Sequence, residues 1–226
     1  MLKLLFSLVI FPVLLCVTAF AQEEQYVLPV DEAKSNPSFL AFRTRLIEAV
    51  KRKDASYVLS ITDPNIRINF GDGGGIAAFR KEWKNLGPSS RFWVEFLPVI
   101  SNGGRFSKEP TERDGTFWAP YVFDQFPPEL DATDYAAIFG NNVNLREAPE
   151  LNSKVVTRLS YNIVRIEPET LPKSGLSEYP GWWQITTLGG LKGFVKREYV
   201  RSPIDYRAGF EKKRGVWKMT VFVAGD

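Results

Sequence analysis

Short β segments separated by turn residues fill the stretch from Asp134 to Val195, and this feature restricts the fold more than any other. Apolar residues alternate within the segments, and Gly, Asn, Ser and Pro stand between them. Several short strands at close spacing predict a sandwich or a small barrel. The predicted strands are Tyr135–Phe139, Val143–Arg146, Val155–Leu159, Ile163–Ile166, Trp182–Thr187 and Gly193–Val195.

Four motifs occur in order along this stretch. The first, V-N-L-R-E-A-P at 143–149, ends in a proline that sets a turn. S-K-V-V-T-R-L at 153–159, G-W-W-Q-I at 181–185 and G-F-V at 193–195 follow it. Together these motifs resemble the bacterial SH3-like domain over residues 138–202.

The resemblance implies a small barrel used for binding, often to peptidoglycan or to peptides of the cell envelope, and it implies no catalysis. Two departures from the family pattern are visible. Phe194 replaces the commoner tryptophan, and the connection at 168–180 is longer and richer in proline than usual. The resemblance covers less than a third of the chain, so the remainder needs its own interpretation.

The chain before Asp134 shows helical and extended patterns in turn. Asn36 followed by Pro37 is typical of a helix cap with proline at the first helical position. Asp54 is expected to cap a second, short helix. The predicted elements are a helix from Pro37 to Lys53, a short helix after Asp54, a turn at 63–65, a strand with Ile66, Ile68 and Phe70, and helices within 76–86 and 92–100.

The chain closes with two predicted strands joined at Arg214-Gly215. They are Tyr206–Lys212 and Val216–Val223, with Trp217, Met219 and Val221 expected on one face. A hairpin is at best marginally stable alone, so we expect it to join the sheet that begins at Ile66.

This pairing would make the barrel an insertion before the final hairpin. The predicted fold class is therefore an α+β host domain, residues 26–137 plus 203–226, with a small all-β SH3-like barrel at 138–202. The helices, the glycine-rich bend and the closing hairpin of the host resemble the nuclear-transport-factor-2-like α+β domain.

Residues 1–21 have the pattern of a secretory signal peptide. Lys3 precedes an apolar run, and Ala19 and Ala21 place small residues where a signal peptidase needs them. The run is shorter than the about 20 apolar residues that span a bilayer, and it contains Pro12. We expect export to the periplasm or beyond, with no stable membrane span after cleavage; an uncleaved anchor is the alternative.

Missing residue types exclude several kinds of site. The single cysteine, Cys16, lies in the signal segment, and the chain has no histidine. This excludes disulfides, Cys–His and Ser–His nucleophiles, and the usual zinc sites. We predict no cofactor, no metal and no enzymatic activity. A net charge of +3 without a long basic block argues against nucleic acid as a partner.

Two features nevertheless invite a catalytic interpretation. Carboxylates at Asp124, Glu129, Asp131 and Asp134 lie near many aromatic residues, and glycosidases need only two carboxylates beside a sugar. The glycine loop at 71–75 follows a strand and precedes a helix, but it lacks the Lys-Ser/Thr of a P-loop. A surface loop and a turn are the favoured interpretations.

The candidate binding residues lie in the barrel. Trp182 and Trp183 are adjacent in a strand and must point to opposite faces, with Trp183 sharing the core face of Ile185. Trp182 is then the more exposed tryptophan, which suits a binding surface. The predicted ligand-binding residues are Trp182 and Arg146, with Arg146 expected to meet a peptide carboxylate. Tyr161 and Tyr179 are expected to border the surface that contains Trp182.

We therefore expect an exported bacterial SH3 domain-containing protein that recognises a peptidoglycan peptide or an envelope protein partner. One alternative is an α+β domain that holds a small ligand while the barrel is purely structural. The other is a carboxylate-based carbohydrate-active enzyme.

Overall fold

The helices that open the described chain begin where the sequence supplies a capping side chain. The computed structural model describes residues 22–71, 73–108, 115–167 and 181–225. Asn36 accepts the N–H of Phe39 at 3.2 Å, and helix α1 spans Pro37–Lys51. Asp54 accepts the N–H of Tyr57 at 2.9 Å at the start of α2, Ala55–Ile61. Both predicted helices and their caps are confirmed, but α1 ends at Lys51 and not at Lys53, which has a left-handed backbone (φ 56°).

The rest of the first part mixes helices with short strands. Helices α3 and α4 were expected from their apolar periodicity, whereas β2, β3 and α5 were not. The predicted signal segment, residues 1–21, lies outside the described residues. The elements are β1 Thr62–Arg67, α3 Gly75–Glu82, α4 Phe92–Ser101, β2 Arg105–Phe106, β3 Phe117–Ala119 and α5 Tyr121–Gln125.

A five-stranded sheet joins the first part of the chain to its last strands. Its order is β1-β12-β11-β3-β2, where β11 is Arg207–Lys213 and β12 is Val216–Val223. Strand β12 runs parallel to β1 and antiparallel to β11, which also pairs with β3. Arg214 (φ 49°) and Gly215 (φ 82°) form the tight turn between them, as a two-residue hairpin requires. The final hairpin therefore lies in the sheet that contains β1.

An aromatic core lies between the helices and one face of this sheet. Phe39 of α1 is fully buried, and its ring centroid lies 4.2 Å from that of Phe117 and 4.8 Å from that of Trp217. Trp83 and Trp93 are also buried. The sheet and helices are thus held together mainly by burial of large aromatic surfaces.

The prediction for the first strand was wrong in its bounds. Thr62–Arg67, including the expected turn at 63–65, is the strand, and Phe70 lies beyond it, 49% exposed. The cause is tertiary: β12 offers partners at Met219 for Thr62 and at Val221 for Arg67. Alternation of apolar residues alone could not reveal a parallel partner this distant in sequence.

The prediction that Trp217, Met219 and Val221 share one face was also wrong. Gly209 pairs with Val221, but the next residue of β11, Phe210, pairs with Met219. One residue of β12 is therefore extra, and this β-bulge reverses the alternation beyond it. Trp217 and Met219 pack in the aromatic core, whereas Val221 packs on the opposite face with Trp118.

The glycine loop after β1 approaches that strand too closely for larger residues. A Cβ on Gly74 would lie 2.8 Å from the carbonyl oxygen of Ile66, and one on Gly75 would lie 2.9 Å from that of Pro64. Gly75 also has a φ of 79°. Close backbone approach explains these glycines without a phosphate ligand.

A second, seven-stranded sheet is formed by the segment between Asp134 and Ser202. Its order is β10-β4-β7-β8-β9-β5-β6, and every neighbouring pair is antiparallel. The six predicted strands are all present, and a further short strand follows them. They are β4 Tyr135–Ile138, β5 Val143–Arg146, β6 Val155–Leu159, β7 Ile163–Ile166, β8 Trp182–Thr187, β9 Lys192–Lys196 and β10 Val200–Arg201.

The N-terminal described segment lies against this second sheet. The N–H of Val27 donates to the carbonyl of Tyr161, and the N–H of Ile163 donates to the carbonyl of Gln25, both at 2.8 Å. The Glu24 carboxylate accepts from the Asn162 side chain at 3.0 Å. Val27 also packs in an apolar cluster that contains residues of both parts of the chain.

A second junction follows β10. The buried Arg201 guanidinium donates to the Tyr206 carbonyl, and the Ser202 hydroxyl donates to the Ala132 carbonyl at 2.9 Å. Hydrogen bonds and apolar contacts thus connect the segment of the second sheet to the rest of the chain near Tyr161–Ile163 and again after β10. Among the helices of the described ranges, none is long and apolar enough to cross a membrane.

Candidate functional site

The candidate site begins with the alternation of strand β8. Trp183 is 4% exposed and Ile185 is fully buried, whereas Trp182 is half-buried on the other face. The predicted orientation of the two tryptophans is therefore confirmed. Lys196 of β9 lies directly opposite Trp182 in the β8–β9 ladder. Opposite side chains in such a ladder stand about 5 Å apart at Cβ, so Lys196 and Trp182 are neighbours.

A cavity of about 240 Å³ opens beside Trp182, and we refer to it as the Trp182 cavity. Every lining residue lies between Asn141 and Tyr199, within the segment that forms the seven-stranded sheet. The lining consists of Asn141, Asn142, Val143, Asn144, Arg146, Leu151, Trp182, Lys196 and Tyr199.

Local contacts hold the polar wall of this cavity. Arg146 ends β5, and its Nη1 donates to the Ser153 carbonyl at 2.6 Å across the following turn. Asn142 has a left-handed backbone (φ 56°), and its N–H donates to the Ser160 hydroxyl at 3.0 Å. The guanidinium and the turn are therefore positioned by the domain itself before any ligand arrives.

Aromatic and apolar side chains form the other wall and remain accessible. Tyr199, in the short helical turn after β9, is 40% exposed, and Leu151 is 66% exposed. With the half-buried Trp182 they provide amphipathic surface at low cost in side-chain entropy. Such a combination of apolar wall and a few placed polar groups is the usual character of a ligand site.

The charge of the Trp182 cavity is positive. Arg146 and Lys196 are its ionisable cations, and no lining residue is acidic. Lys196 forms an ion pair with Glu198, whose carboxylate lies 3.6 Å from the Lys196 Nζ. Both partners of that pair are exposed, so the pair is weak and easily exchanged.

The predicted binding residues divide between two places. Arg146 and Trp182 both line the Trp182 cavity. Tyr161 is not brought there: it occupies the turn between β6 and β7 with a φ of 61°, where its carbonyl contacts the N-terminal segment. Burial, together with Tyr161, raises the pKa of the neighbouring Tyr121 well above its usual value. Tyr179 lies outside the described residues.

The sequence reasoning missed the lysine, the asparagines and one tyrosine of the cavity. Lys196 could have been found from the β8–β9 register, since it follows from pairing the two strands around their short turn. Tyr199 lies in a short helical turn after β9, outside every predicted strand. The pair Asn141-Asn142 carries a turn signal, but nothing local shows that this turn borders a cavity.

A second cavity, of about 380 Å³, lies at the edge of the five-stranded sheet. Its guanidinium, Arg105, is held between the carboxylates of Glu32 and Asp124, each at 3.2 Å. Burial alone would raise the pKa of Glu32, but the Phe106 N–H and Arg105 outweigh it and the pKa is lowered. Arg105 and Asp124 of this lining are thus paired with each other, whereas Lys196 of the Trp182 cavity pairs with Glu198, which does not line that cavity.

The candidate catalytic carboxylates have different surroundings. Asp124 lines the second cavity in its ion pair, and Asp131 accepts the N–H and the hydroxyl of Thr133, which lower its pKa. Glu129 and Asp134 are exposed on the surface. Within the described ranges, no three Asp, Glu, His or Cys side chains form a group that could hold a metal ion.

Comparison with known proteins identifies one part of the chain. No curated protein matches the chain. A family model, the bacterial SH3 domain, matches residues 141–201, which include the whole lining of the Trp182 cavity. The resemblance of the remaining chain to nuclear-transport-factor-2-like domains stays a prediction. This mixed α+β chain therefore contains a bacterial SH3 domain at residues 141–201.

Proposed function

We propose that this chain is an exported, non-enzymatic binding protein whose SH3 domain recognises a peptidoglycan peptide through the Trp182 cavity. The bacterial SH3 domain itself suggests a binding role, commonly one related to the cell wall. The observation that carries the proposal is the position of Trp182, half-buried in a cationic cavity formed by that domain alone.

The position of Trp182 also favours this function over a purely structural barrel. A structural barrel would bury its outward tryptophan against the neighbouring part of the chain. Trp182 instead lines a cavity with residues of the SH3 domain, while contacts between that domain and the rest of the chain are made elsewhere, by Val27, Tyr121 and Ile163 among others. Apolar surface at the Trp182 cavity is thus available to a ligand.

We further propose that the SH3 domain closes as a barrel and is inserted into a single host domain, residues 26–137 plus 203–226. The support is the pairing of β12 with β1 and of β11 with β3, which brings together strands that precede and follow the SH3 domain. In this proposal the α+β host acts as a scaffold that presents the Trp182 cavity.

Sedimentation with purified peptidoglycan tests the function directly. The full chain should be retained by the insoluble wall, and Trp182→Ala should weaken retention roughly thirtyfold, because truncating a central aromatic contact costs about 2 kcal/mol. Leu191→Ala is the matched control, since Leu191 is 48% exposed on the same domain and does not line the cavity. Equal retention of both variants and the unchanged chain would refute the role of the cavity.

A further inference from the structure

The outer face of the SH3 sheet arranges the cavity residues in rows across three strands. Lys196 pairs with Trp182, and Phe194 pairs with both Gln184 and Arg146. In the antiparallel register that pairs Arg146 with Phe194, Asn144 lies beside Lys196. The row Asn144–Lys196–Trp182 therefore runs across β5, β9 and β8, with Arg146 next to it.

Within these rows every ionisable group is a cation. Arg146 presents a planar fork of donors, although one nitrogen is already given to the Ser153 carbonyl. Lys196 adds a second charge, and Asn141, Asn142 and Asn144 add amide groups. A ligand group that accepts several hydrogen bonds and carries negative charge is the complement of this lining.

We propose that the Trp182 cavity binds a free carboxylate of the wall peptide, held by Arg146 and Lys196 while the adjoining apolar part of the peptide packs on Trp182. This inference rests on the proposed function and adds the chemical group that is recognised. In the free protein Lys196 forms a 3.6 Å ion pair with Glu198, and the ligand carboxylate replaces Glu198 as the partner of Lys196.

A carboxylate fits better than a phosphate polymer because the cavity is small and its lining has two cations, Arg146 and Lys196. A polyanion that follows the surface would contact the exposed cations of the domain in general. These include Arg158 in β6 and Lys154 directly before β6. A single carboxylate needs only the two cations in the cavity. Lysines outside the cavity should therefore contribute to binding a phosphate polymer but not to binding a single carboxylate.

Chemically matched wall preparations provide the test. Purified peptidoglycan is compared with the same material after its carboxylates are converted to amides, and with material stripped of phosphate polymers by hydrofluoric acid. The full chain should bind the amidated wall roughly tenfold more weakly, whereas removal of phosphate polymers should leave binding unchanged. Lys196→Gln should weaken binding to the untreated wall and lose most of the difference between untreated and amidated wall.

Lys154→Gln is the charge-matched control, since Lys154 is 75% exposed, pairs with Glu147 and does not line the cavity. It should bind like the unchanged chain. Equal binding to untreated and amidated wall would overturn the carboxylate inference and leave the proposed function standing. Loss of binding on removal of phosphate polymers would also overturn it. Failure to bind any preparation would overturn both.

Discussion

The ion pair between Asp63 and Lys213 connects the first strand of the described chain to the final hairpin, and its removal has a predictable cost. The Lys213 Nζ lies 2.7 Å from Asp63 Oδ2, and the Asn65 N–H donates to the other oxygen at 2.9 Å. The Asp63 side chain is only 7% exposed, and that of Lys213 is 33% exposed. This burial makes the pair more valuable than an exposed one.

Lys213→Met removes the charge and keeps most of the side-chain length, which leaves the Asp63 carboxylate with one donor. A hydrogen bond to a charged group contributes about 1.5–3 kcal/mol, so we expect a loss of about 2 kcal/mol at pH 7. In a double-mutant cycle with Asp63→Asn, the coupling energy should be about 1–2 kcal/mol. Urea unfolding followed at 222 nm reports the helices of the host and hence this part of the chain.

The pH dependence of this coupling has a definite sign. Burial alone would raise the pKa of Asp63, but the hydrogen bonds from Lys213 and Asn65 and the Lys213 charge outweigh it and lower the pKa. The stabilisation is therefore fully present above the unfolded pKa of about 3.9 and is lost as pH falls through the lower folded value. The coupling should shrink from pH 7 towards pH 3.

The exposed pair Lys154–Glu147 is the matched control. Its atoms are also 2.7 Å apart, but its side chains are 75% and 52% exposed. Its cycle should give no measurable coupling, because solvent screens exposed charges. A coupling at Asp63 and Lys213 that is absent at pH 7, or equal at pH 7 and pH 3, would refute the reasoning.

Two further predictions concern the insertion and the export. Val200 pairs with Ile138, so a short turn replacing residues 139–199 should leave a host that keeps its helical signal at 222 nm; an unfolded product would contradict the proposed insertion. When the chain is expressed in a bacterium with its N-terminal segment, it should be recovered outside the cytoplasm with Gln22 as its first residue. N-terminal sequencing measures this, and a chain that still begins at residue 1 would contradict cleavage after Ala21.

The SH3 domain could be predicted largely from sequence because its signals are local. Its strands are short, their residues alternate, and turn residues separate them, so each element could be placed without knowing its partner. Trp182 and Trp183 were assigned to opposite faces by strand geometry alone. Arg146 was singled out because it lies within the first motif, at the end of a predicted strand, and both Arg146 and Trp182 line the same cavity.

The missed features depend on which strands pair and in which register. Strand β3 contains only Phe117–Ala119, and it is a strand because β11 pairs with it. The bulge that reverses Val221 depends on the register between Gly209 and Phe210. Lys196 belongs to the cavity because of the strand it faces, and a pattern read along one strand does not contain that information.

The order of the five-stranded sheet has a consequence for how the chain acquires its structure during synthesis. Strand β1 occupies one edge of that sheet, and its neighbour there is β12, which is synthesised after β1 and after all strands of the SH3 domain. The strands of the SH3 domain are complete at Arg201, so this domain has all its contacts earlier. Phe39 of α1 can pack on Phe117 before then, but its contact with Trp217 forms only after residues 216–223 are made. A nascent chain that stops shortly before that point would carry a complete SH3 domain beside an incomplete five-stranded sheet.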